Sequence, residues 1–459
     1  MDQATEPRPA ARGPRRGELL EVEIESLAFG GRGLARAEGL VVFVAGALPG
    51  DRVRAEVTKG KKRFAEARAV ELLKAGPDRV ADVCAHGGEP CPGAPWQGLP
   101  YESQLAHKQA QVGEALRRIG ELEGFELEEI VPAAEQWRYR NKLEYSFGEN
   151  EEGDATLGFH ARGRWDLIVD VEDCRLASEV GNAARNEVRE WARAESVPAY
   201  DARARRGVLR NLIVREGRRT GQVQTRLVTA AARFPRPPVD LHTTVEGDSG
   251  SSDGPTGALG AERLAEELCG LRLEMSHGAF FQTNTEMAER LYAVAAELAG
   301  LSGGERVFDL YCGIGTIGLT MAARAGEVWG LEIVPEAIAD AERNAERNGI
   351  ANARFMAANA RTGVRPLIEK AGRPDVVVID PPRAGLSQKI VRRVIECEAK
   401  RIVYVSCNPT TLAPNAAQLA EAGYALRRVR PVDMFPQTPH IECVALLEKS
   451  GPAASGSAG

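Results

Sequence analysis

The sequence predicts an α/β protein: a doubly wound, Rossmann-like domain at the C-terminal end, a small closed β-barrel at the N-terminal end, and an α+β region between them. Three observations predict it. From residue 285 onward, amphipathic helices alternate with short, wholly apolar strands such as Val376–Ile379, the pattern of a parallel sheet covered on both faces. Between Glu18 and Val70, short alternating apolar runs are broken by Gly30-Gly31, Gly33 and Leu48-Pro49-Gly50-Asp51, as in a small barrel. The length, 459 residues, leaves room for about three domains.

The elements follow in order. Residues 1–16 are rich in Pro, Arg and Ala, lack periodicity and read as a disordered arm. Residues 17–75 are assigned to the barrel, 76–284 to the central domain, 285–449 to the doubly wound domain and 450–459 to a flexible tail. Residues 104–119 predict a helix with Leu105, Val112, Leu116 and Ile119 on one face, expected against the C-terminal domain. The stretch 125–240 alternates like strands, with a helix near 178–194. Residues 246–260 are rich in Gly, Ser and Asp and predict a flexible hairpin tip or loop. Helices are expected at Thr285–Ala299, Ile317–Ala325, Pro335–Asn348 and Ile390–Glu396, the third opened by proline. Strands are expected at Val307–Leu310, Glu327–Leu331, Val376–Ile379, Ile402–Val405 and Val444–Leu447.

Composition excludes several classes. Fifty-nine basic against 65 acidic residues give a net charge of −6, so no global basic field announces nucleic acid. Eight cysteines in a chain of this length do not make a disulfide scaffold. The apolar runs are too short to cross a bilayer, and the N-terminus has no apolar signal region, so a cytoplasmic location with reduced thiols and no membrane partner is expected. Charge is nonetheless uneven. Residues 52–68 and 201–219 each hold seven basic residues against two acidic ones. Either is a solvated face or a phosphate-binding edge; the pair favours RNA or DNA.

Ligands of doubly wound sheets bind at the carboxyl ends of strands. The first strand runs into Gly313, Gly315 and Gly318, a GxGxxG match that is weak alone. Glu332 ends the next strand, where an acid can take ribose hydroxyls. Asp309 stands before the glycines. A carboxylate there repels a pyrophosphate but suits a phosphate-free, cationic ligand, and S-adenosylmethionine is such a ligand. The third strand ends in Asp380-Pro381-Pro382-Arg383. Amine-methylating enzymes usually carry an aromatic residue after the prolines, so Arg383 argues against an exocyclic amine acceptor.

The next strand ends Ser406-Cys407-Asn408-Pro409. A thiol on the methyl-donor edge reads as a placed nucleophile. Carbon 5 of a pyrimidine is a poor nucleophile, and a thiolate added at carbon 6 turns it into an enolate that can attack a methyl group. A general base must then remove the carbon-5 hydrogen. Glu442 and His440 are the candidates.

These residues resemble the uracil-5 RNA methyltransferases of the TrmA and RlmD type. The matching segments are Phe280-Phe281-Gln282-Thr283-Asn284, Asp309 to Gly315, Asp380 to Leu386, Val405 to Leu412, and His440-Ile441-Glu442. The resemblance implies that the barrel is an OB-like TRAM domain, that the central domain binds RNA, and that Cys407 is the nucleophile and Glu442 the base, demoting His440. It implies that Gln282, Tyr311, Glu332 and Asp380 contact S-adenosylmethionine, with Thr316 and Asn359 as further contacts in some members. The activity implied is methylation of uridine carbon 5 in RNA, ribosomal RNA being favoured over transfer RNA; a monomer is the default expectation. The rivals are an RNA cytosine-5 methyltransferase, which usually carries a second cysteine after a proline on the preceding strand, and a non-catalytic TRAM-type RNA-binding protein.

The resemblance also implies a [4Fe–4S] cluster on four cysteines. Here Cys84 and Cys91 match two of a run of three, Ala94 occupies the third position, and Cys174 matches the distant fourth. A Cys₄ site cannot form. A three-cysteine cluster, a site completed by His86 that also suits zinc, and a metal-free relic stay open. Cys269, Cys397 and Cys443 are expected in packing, Cys312 in the glycine turn. His107, His160, His242 and His277 lack ligand spacing.

Overall fold

The computed structural model describes residues 13–86, 89–161, 163–237, 239, 241–246, 252–258 and 262–450. Most of the expected arm, most of the expected tail and the centre of the 246–260 excursion lie outside the described residues. The chain divides into two compact units.

The first unit comprises residues 1–83, 93–107 and 437–439. Six strands form one sheet: β1 (Leu19–Glu23), β2 (Ser26–Leu27), β3 (Gly33–Ala37), β4 (Leu40–Ala45), β5 (Arg52–Gly60) and β6 (Phe64–Lys74), in the order β1-β5-β6-β4-β3-β2. Alternation sends Val22, Ala35, Val42, Val44, Val53, Ala55, Ala65 and Ala67 into one small core. Small residues fit because the sheet curls tightly around them. Buried Asp51 fixes the turn between β4 and β5, accepting from the Leu48 and Gly76 amides and from Arg79. The basic run of 52–68 is largely neutralised. Arg52 and Arg54 pair with Glu21, Arg68 with Glu56 and Lys59 with Glu66. Lys61, Lys62 and Arg63 form the exposed tip.

The second unit comprises residues 84–92, 108–436 and 440–459. It opens with the hairpin β7 (Ala85–His86) and β8 (Glu89–Pro90). Helix α1 (Tyr101–Glu114) starts in the first unit, and its continuation into a π-helical turn at Ala115–Ile119 packs on α8 (Pro409–Glu421). The expected stripe holds for Val112 and Leu116, which are fully buried, but Ile119 is 51% exposed. The wider π turn advances the chain by an extra residue and rotates Ile119 out of phase.

A short strand β9 (Glu126–Leu127) precedes a seven-stranded sheet built from β10 (Lys142–Glu149), β11 (Ala155–Ala161), β12 (Arg164–Asp170), β13 (Leu209–Glu216), β14 (Val223–Thr229), β15 (Leu241–Glu246) and β16 (Ser252–Ala258). Its order is β12-β11-β10-β13-β14-β15-β16, with only the β14–β15 pair parallel. Helix α2 (Glu179–Ala194), capped by Ser178, covers this sheet. The glycine- and serine-rich excursion is thus partly ladder: β15 and β16 pair antiparallel across it. The hairpin β17 (Arg263–Leu268) and β18 (Leu271–Ser276) follows. Cys269, expected in packing, lies in its turn and is exposed.

The C-terminal sheet has eight strands. They are β19 (Arg306–Leu310), β20 (Glu327–Glu332), β21 (Ala353–Ala357), β22 (Val376–Ile379), β23 (Arg401–Ser406), β24 (Tyr424–Val432) and β25 (Glu442–Lys449), with β9 at one edge. The order is β21-β20-β19-β22-β23-β25-β24-β9, parallel from β21 through β23. Its helices are α3 (Thr285–Ala299), α4 (Thr316–Met321), α5 (Pro335–Arg347), α6 (Ala360–Ala371), α7 (Gln388–Glu396) and α8. Both faces are apolar: Val376 and Val378 point into one core and Val377 and Ile379 into the other. The chain reverses direction across the sheet between β19 and β22, which opens a crevice at their carboxyl ends.

One ion pair ties α1 to this sheet. Lys108 and Asp433 are both 0% exposed in their side chains and meet at 2.6 Å, and Lys108 also donates to the Phe435 carbonyl. Burial lowers the Lys108 pKa, and the Asp433 charge and hydrogen bond oppose the fall. Lys108→Met is expected to destabilise the protein by about 3–5 kcal/mol, because Asp433 stays buried without its countercharge. The double variant Lys108→Met/Asp433→Leu should recover much of that loss. Thermal unfolding of the three proteins measures both effects.

Candidate functional site

The carboxyl edge of the C-terminal sheet gathers most of the residues that the sequence singles out. In the ladder, Leu310 pairs with both Leu331 and Ile379, so Tyr311 leaves β19 level with Glu332 and Asp380. Ser406 pairs with Cys443 across the antiparallel β23–β25 ladder, so one further step sets Cys407 opposite Glu442. Five of the six predicted nucleophile, base and cofactor residues therefore share one edge. The sixth, Gln282, is buried in the segment before α3, where its carbonyl accepts from the Asn141 side chain. Its neighbour Phe281 packs in the same core as Val378 and Val405.

The glycine turn is built for close approach. Tyr311 (φ 68°) and Gly315 (φ 85°) are left-handed, and Gly315 opens α4. At Gly318 a Cβ would sit 2.9 Å from the Asp309 carboxylate, so only glycine lets α4 approach β19 this closely. Asp309 is 1% exposed. Its Oδ2 accepts from the Gly318 amide at 2.8 Å, and its Oδ1 finds no partner among the described residues. Burial pushes the Asp309 pKa up to about 7, with Glu332 adding to the rise. Asp380 is likewise raised to about 7 by burial and then by the Asp309 charge. A cation near these two buried carboxylates would favour their ionised forms.

Glu332 points its carboxylate at the backbone around the crevice. Oε1 accepts from Ile333 (2.7 Å) and Val334 (3.0 Å), and Oε2 from Gly313 (3.2 Å). Tyr311 is half-buried, and burial followed by the Glu332 charge raises its phenol. The two looser candidates have structural duties: Thr316 meets the Tyr292 hydroxyl at 3.3 Å, and Asn359 caps α6 by accepting from Arg361.

Cys407 is half-buried between β23 and α8. Asn408 caps α8, accepting from the Thr410 amide, while its own amide donates to the Arg383 carbonyl. The thiol thus lies just before a helix N-terminus, whose dipole favours a thiolate. Other effects oppose it. Burial, then the Glu442 charge, push the Cys407 pKa up to about 11, and Arg383 pulls it down less strongly. Glu442 is 4% exposed, and burial followed by Asp380 holds its pKa well above the usual carboxylate value. His440 receives Arg383 on Nδ1 at 2.8 Å. Burial, Arg383, Arg140 and Lys108 together lower His440 to about 4, so it is a neutral, already engaged imidazole and a weak base.

The second basic segment divides. Arg215 is buried and donates to the Ser276, His277 and Ala279 carbonyls, Arg218 pairs with Glu216 and Glu286, and Arg219 pairs with Glu289. Those three hold the hairpin β17–β18 and α3 in place and are not a phosphate edge. Arg203 and Arg206 instead face a groove of about 620 Å³ on the central sheet, where Arg203 lies 4.8 Å over the exposed Trp165 ring. The groove is separate from the carboxyl edge of the other sheet.

The metal-ligand candidates also assemble. Ligand atoms of Cys84, His86 and Cys91 lie within 4.8 Å of one another, a group that does not include Cys174. Cys84 Sγ and His86 Nε2 are 3.1 Å apart. A hydrogen bond from Cys91, and after it the His86 contact, bring Cys84 down to about 4 against the opposing effect of burial. Among the described residues no helix is long and apolar enough to cross a membrane.

Lys108, Asp433 and the Arg383–His440 contact were not singled out as working groups in the sequence. Lys108 carried a signal: it stands on the same helical stripe as Val112 and Leu116.

The family model for tRNA (Uracil-5-)-methyltransferase matches residues 262–450, and that for the TRAM domain matches residues 15–70. An uncharacterized RNA methyltransferase of Halalkalibacterium halodurans is 36% identical over 449 residues, covering 94% of this chain and 97% of its own. Another, from Caldanaerobacter subterraneus subsp. tengcongensis, is 38% identical over 453 residues and covers 95% of this chain and 100% of its own. The crystal structure of Pyrococcus abyssi tRNA (uracil-54, C5)-methyltransferase in complex with S-adenosyl-L-homocysteine superposes with a TM-score of 0.75 at 29% identity. That match covers 93% of this chain and 100% of the other.

Proposed function

We propose that this chain, which belongs to the RNA uracil-5 methyltransferase family, methylates carbon 5 of a uridine in ribosomal RNA through a covalent bond from Cys407 to carbon 6. The observation that carries the reading is the register placing Cys407 opposite Glu442 at the crevice edge. Cys407 adds to carbon 6, which makes carbon 5 nucleophilic. Carbon 5 takes the methyl group and then holds both methyl and hydrogen. Glu442 removes that hydrogen as a proton, the carbon 5–carbon 6 double bond re-forms, and the Cys407 thiolate leaves.

S-adenosylmethionine supplies the activated methyl group when bound. The residues present fit it. Glu332 offers a carboxylate for the ribose hydroxyls, and the orphaned Asp309 Oδ1 together with Asp380 suits a cationic methionine moiety. Tyr311 and Gln282 complete the proposed contact set. Glu332→Ala is expected to weaken S-adenosylmethionine binding about 10–100-fold, the loss of hydrogen bonds to a charged acceptor. Isothermal calorimetry reads it directly. No change would remove Glu332 from the set.

In the same reading residues 17–75 and 76–284 bind RNA and residues 285–449 carry the chemistry. The exposed Lys61, Lys62 and Arg63 tip and the Trp165–Arg203 groove supply phosphate and stacking contacts. The target base leaves its stack to reach Cys407. The likeness to a tRNA (uracil-54, C5)-methyltransferase favours a second reading, transfer RNA as substrate. An adduct trap separates the two. The protein is mixed with S-adenosylmethionine and either ribosomal or transfer RNA carrying 5-fluorouridine. Fluorine replaces the hydrogen Glu442 must remove, so the methylated adduct persists on a denaturing gel. A band with ribosomal RNA alone supports the proposal, a band with transfer RNA alone supports the second reading, and methylcytidine as the product overturns both.

A further inference from the structure

Four thiolates for a [4Fe–4S] cluster are not present, and the geometry of the donors that are present is that of a different site. The hairpin β7–β8 pairs Ala85 with Pro90 and His86 with Glu89, so Cys84 and Cys91 flank its open end directly opposite one another. His86 reaches back to Cys84 at 3.1 Å, and the three ligand atoms fit within 4.8 Å. A cubane sets each cysteine on a different iron, spreading the sulfurs across the cube. Donors sharing one tetrahedral zinc stand only about 3.5–4 Å apart, from Zn–S near 2.3 Å and Zn–N near 2.0 Å. The observed crowding matches a single ion.

The loop at Cys174 lies beside this group, and the Cys174 sulfur is not among the atoms within 4.8 Å. The Arg175 amide donates to the Cys84 sulfur, which sets this loop beside the hairpin. The Leu176 and Ala177 amides donate to the Cys174 sulfur. Amides aimed at sulfur are the outer shell that orients and stabilises metal-bound thiolates. All three cysteines are at most 3% exposed and His86 is 9% exposed. Two thiolates neutralise a dication, and a neutral imidazole adds no charge.

We propose that Cys84, His86 and Cys91 bind one structural zinc ion at the open end of the hairpin, beside the Cys174 loop. The ion takes no part in methyl transfer.

The test uses the full chain, purified without oxygen from cells supplied with both iron and zinc. Elemental analysis should find about one zinc per chain and no acid-labile sulfide, with no visible iron–sulfur absorption. Chelation should lower the thermal midpoint. Cobalt substitution should give thiolate charge-transfer and tetrahedral ligand-field bands, altered in His86→Ala and retained with a shift in His86→Cys. Iron and sulfide in near-equal amounts would overturn the proposal, as would protein that takes up neither zinc nor cobalt. An unchanged cobalt spectrum in His86→Ala would also overturn it, and it does not depend on whether that variant is less stable.

Discussion

Replacing Cys407 by alanine is expected to abolish methyl transfer to RNA, by at least about 10⁴-fold, while S-adenosylmethionine binding and the thermal midpoint should stay near those of the unaltered protein. The size follows from the chemistry. Without a nucleophile at carbon 6, carbon 5 of uracil has no enolate character, and positioning alone does not supply it. The retained stability follows from the structure. Cys407 is half-buried, the register of β23 ends at Ser406, and α8 is capped by Asn408, so the sulfur supports neither element. Cys269→Ala, in the exposed turn of β17–β18, serves as the thiol control and should leave the rate unchanged. Radiolabelled methyl incorporation into RNA measures both variants. A Cys407→Ala protein that still forms methyluridine would end the covalent mechanism.

The candidate site was legible in the sequence for a physical reason. A parallel sheet sends its functional groups out at the carboxyl ends of strands, so Asp309 to Gly315, Asp380 and Cys407 each follow an apolar run that is itself easy to read. Glu442 opens the one strand that runs the other way, so its place beside Cys407 depends on the β23–β25 register, a tertiary fact. The remaining misreadings have the same origin. Arg215, Arg218 and Arg219 look like a basic patch until their partners arrive from residues 266–289, and Lys108 looks like one more helix lysine until Asp433 arrives from 325 residues away. Ile119 fails because a π turn breaks the 3.6-residue period on which the stripe was counted. Helix α8, interrupted by Pro414, and β24, rich in arginine, carry weaker patterns than their buried neighbours and were not picked out.

Glu442→Gln is expected to separate the two halves of the proposed reaction. In the proposed mechanism adduct formation and methylation need Cys407 and only release needs the base, so this variant should accumulate methylated RNA bound to protein with ordinary uridine, without fluorine. A slow-migrating band should appear on a denaturing gel and disappear when Cys407→Ala is added. Turnover should fall about 10²–10⁴-fold, the usual contribution of a placed general base. The electrostatics add a pH signature. Cys407 is held at about 11 by burial first and by the Glu442 charge second, so adduct formation in the unaltered enzyme should rise about tenfold per pH unit between about pH 6 and 9, as the thiolate fraction does. Removing the Glu442 charge lowers the thiol pKa, so the same rate should be reached at lower pH in Glu442→Gln. The proposed base has the opposite requirement: burial and Asp380 raise Glu442, so in the unaltered enzyme release should slow as pH falls through that raised value. Single-turnover rates of band formation across pH, compared between the two proteins, decide the point. A parallel fall of adduct formation and product in Glu442→Gln would give Glu442 a role before the bond to Cys407 forms, and would return the search for the base to the rest of the crevice.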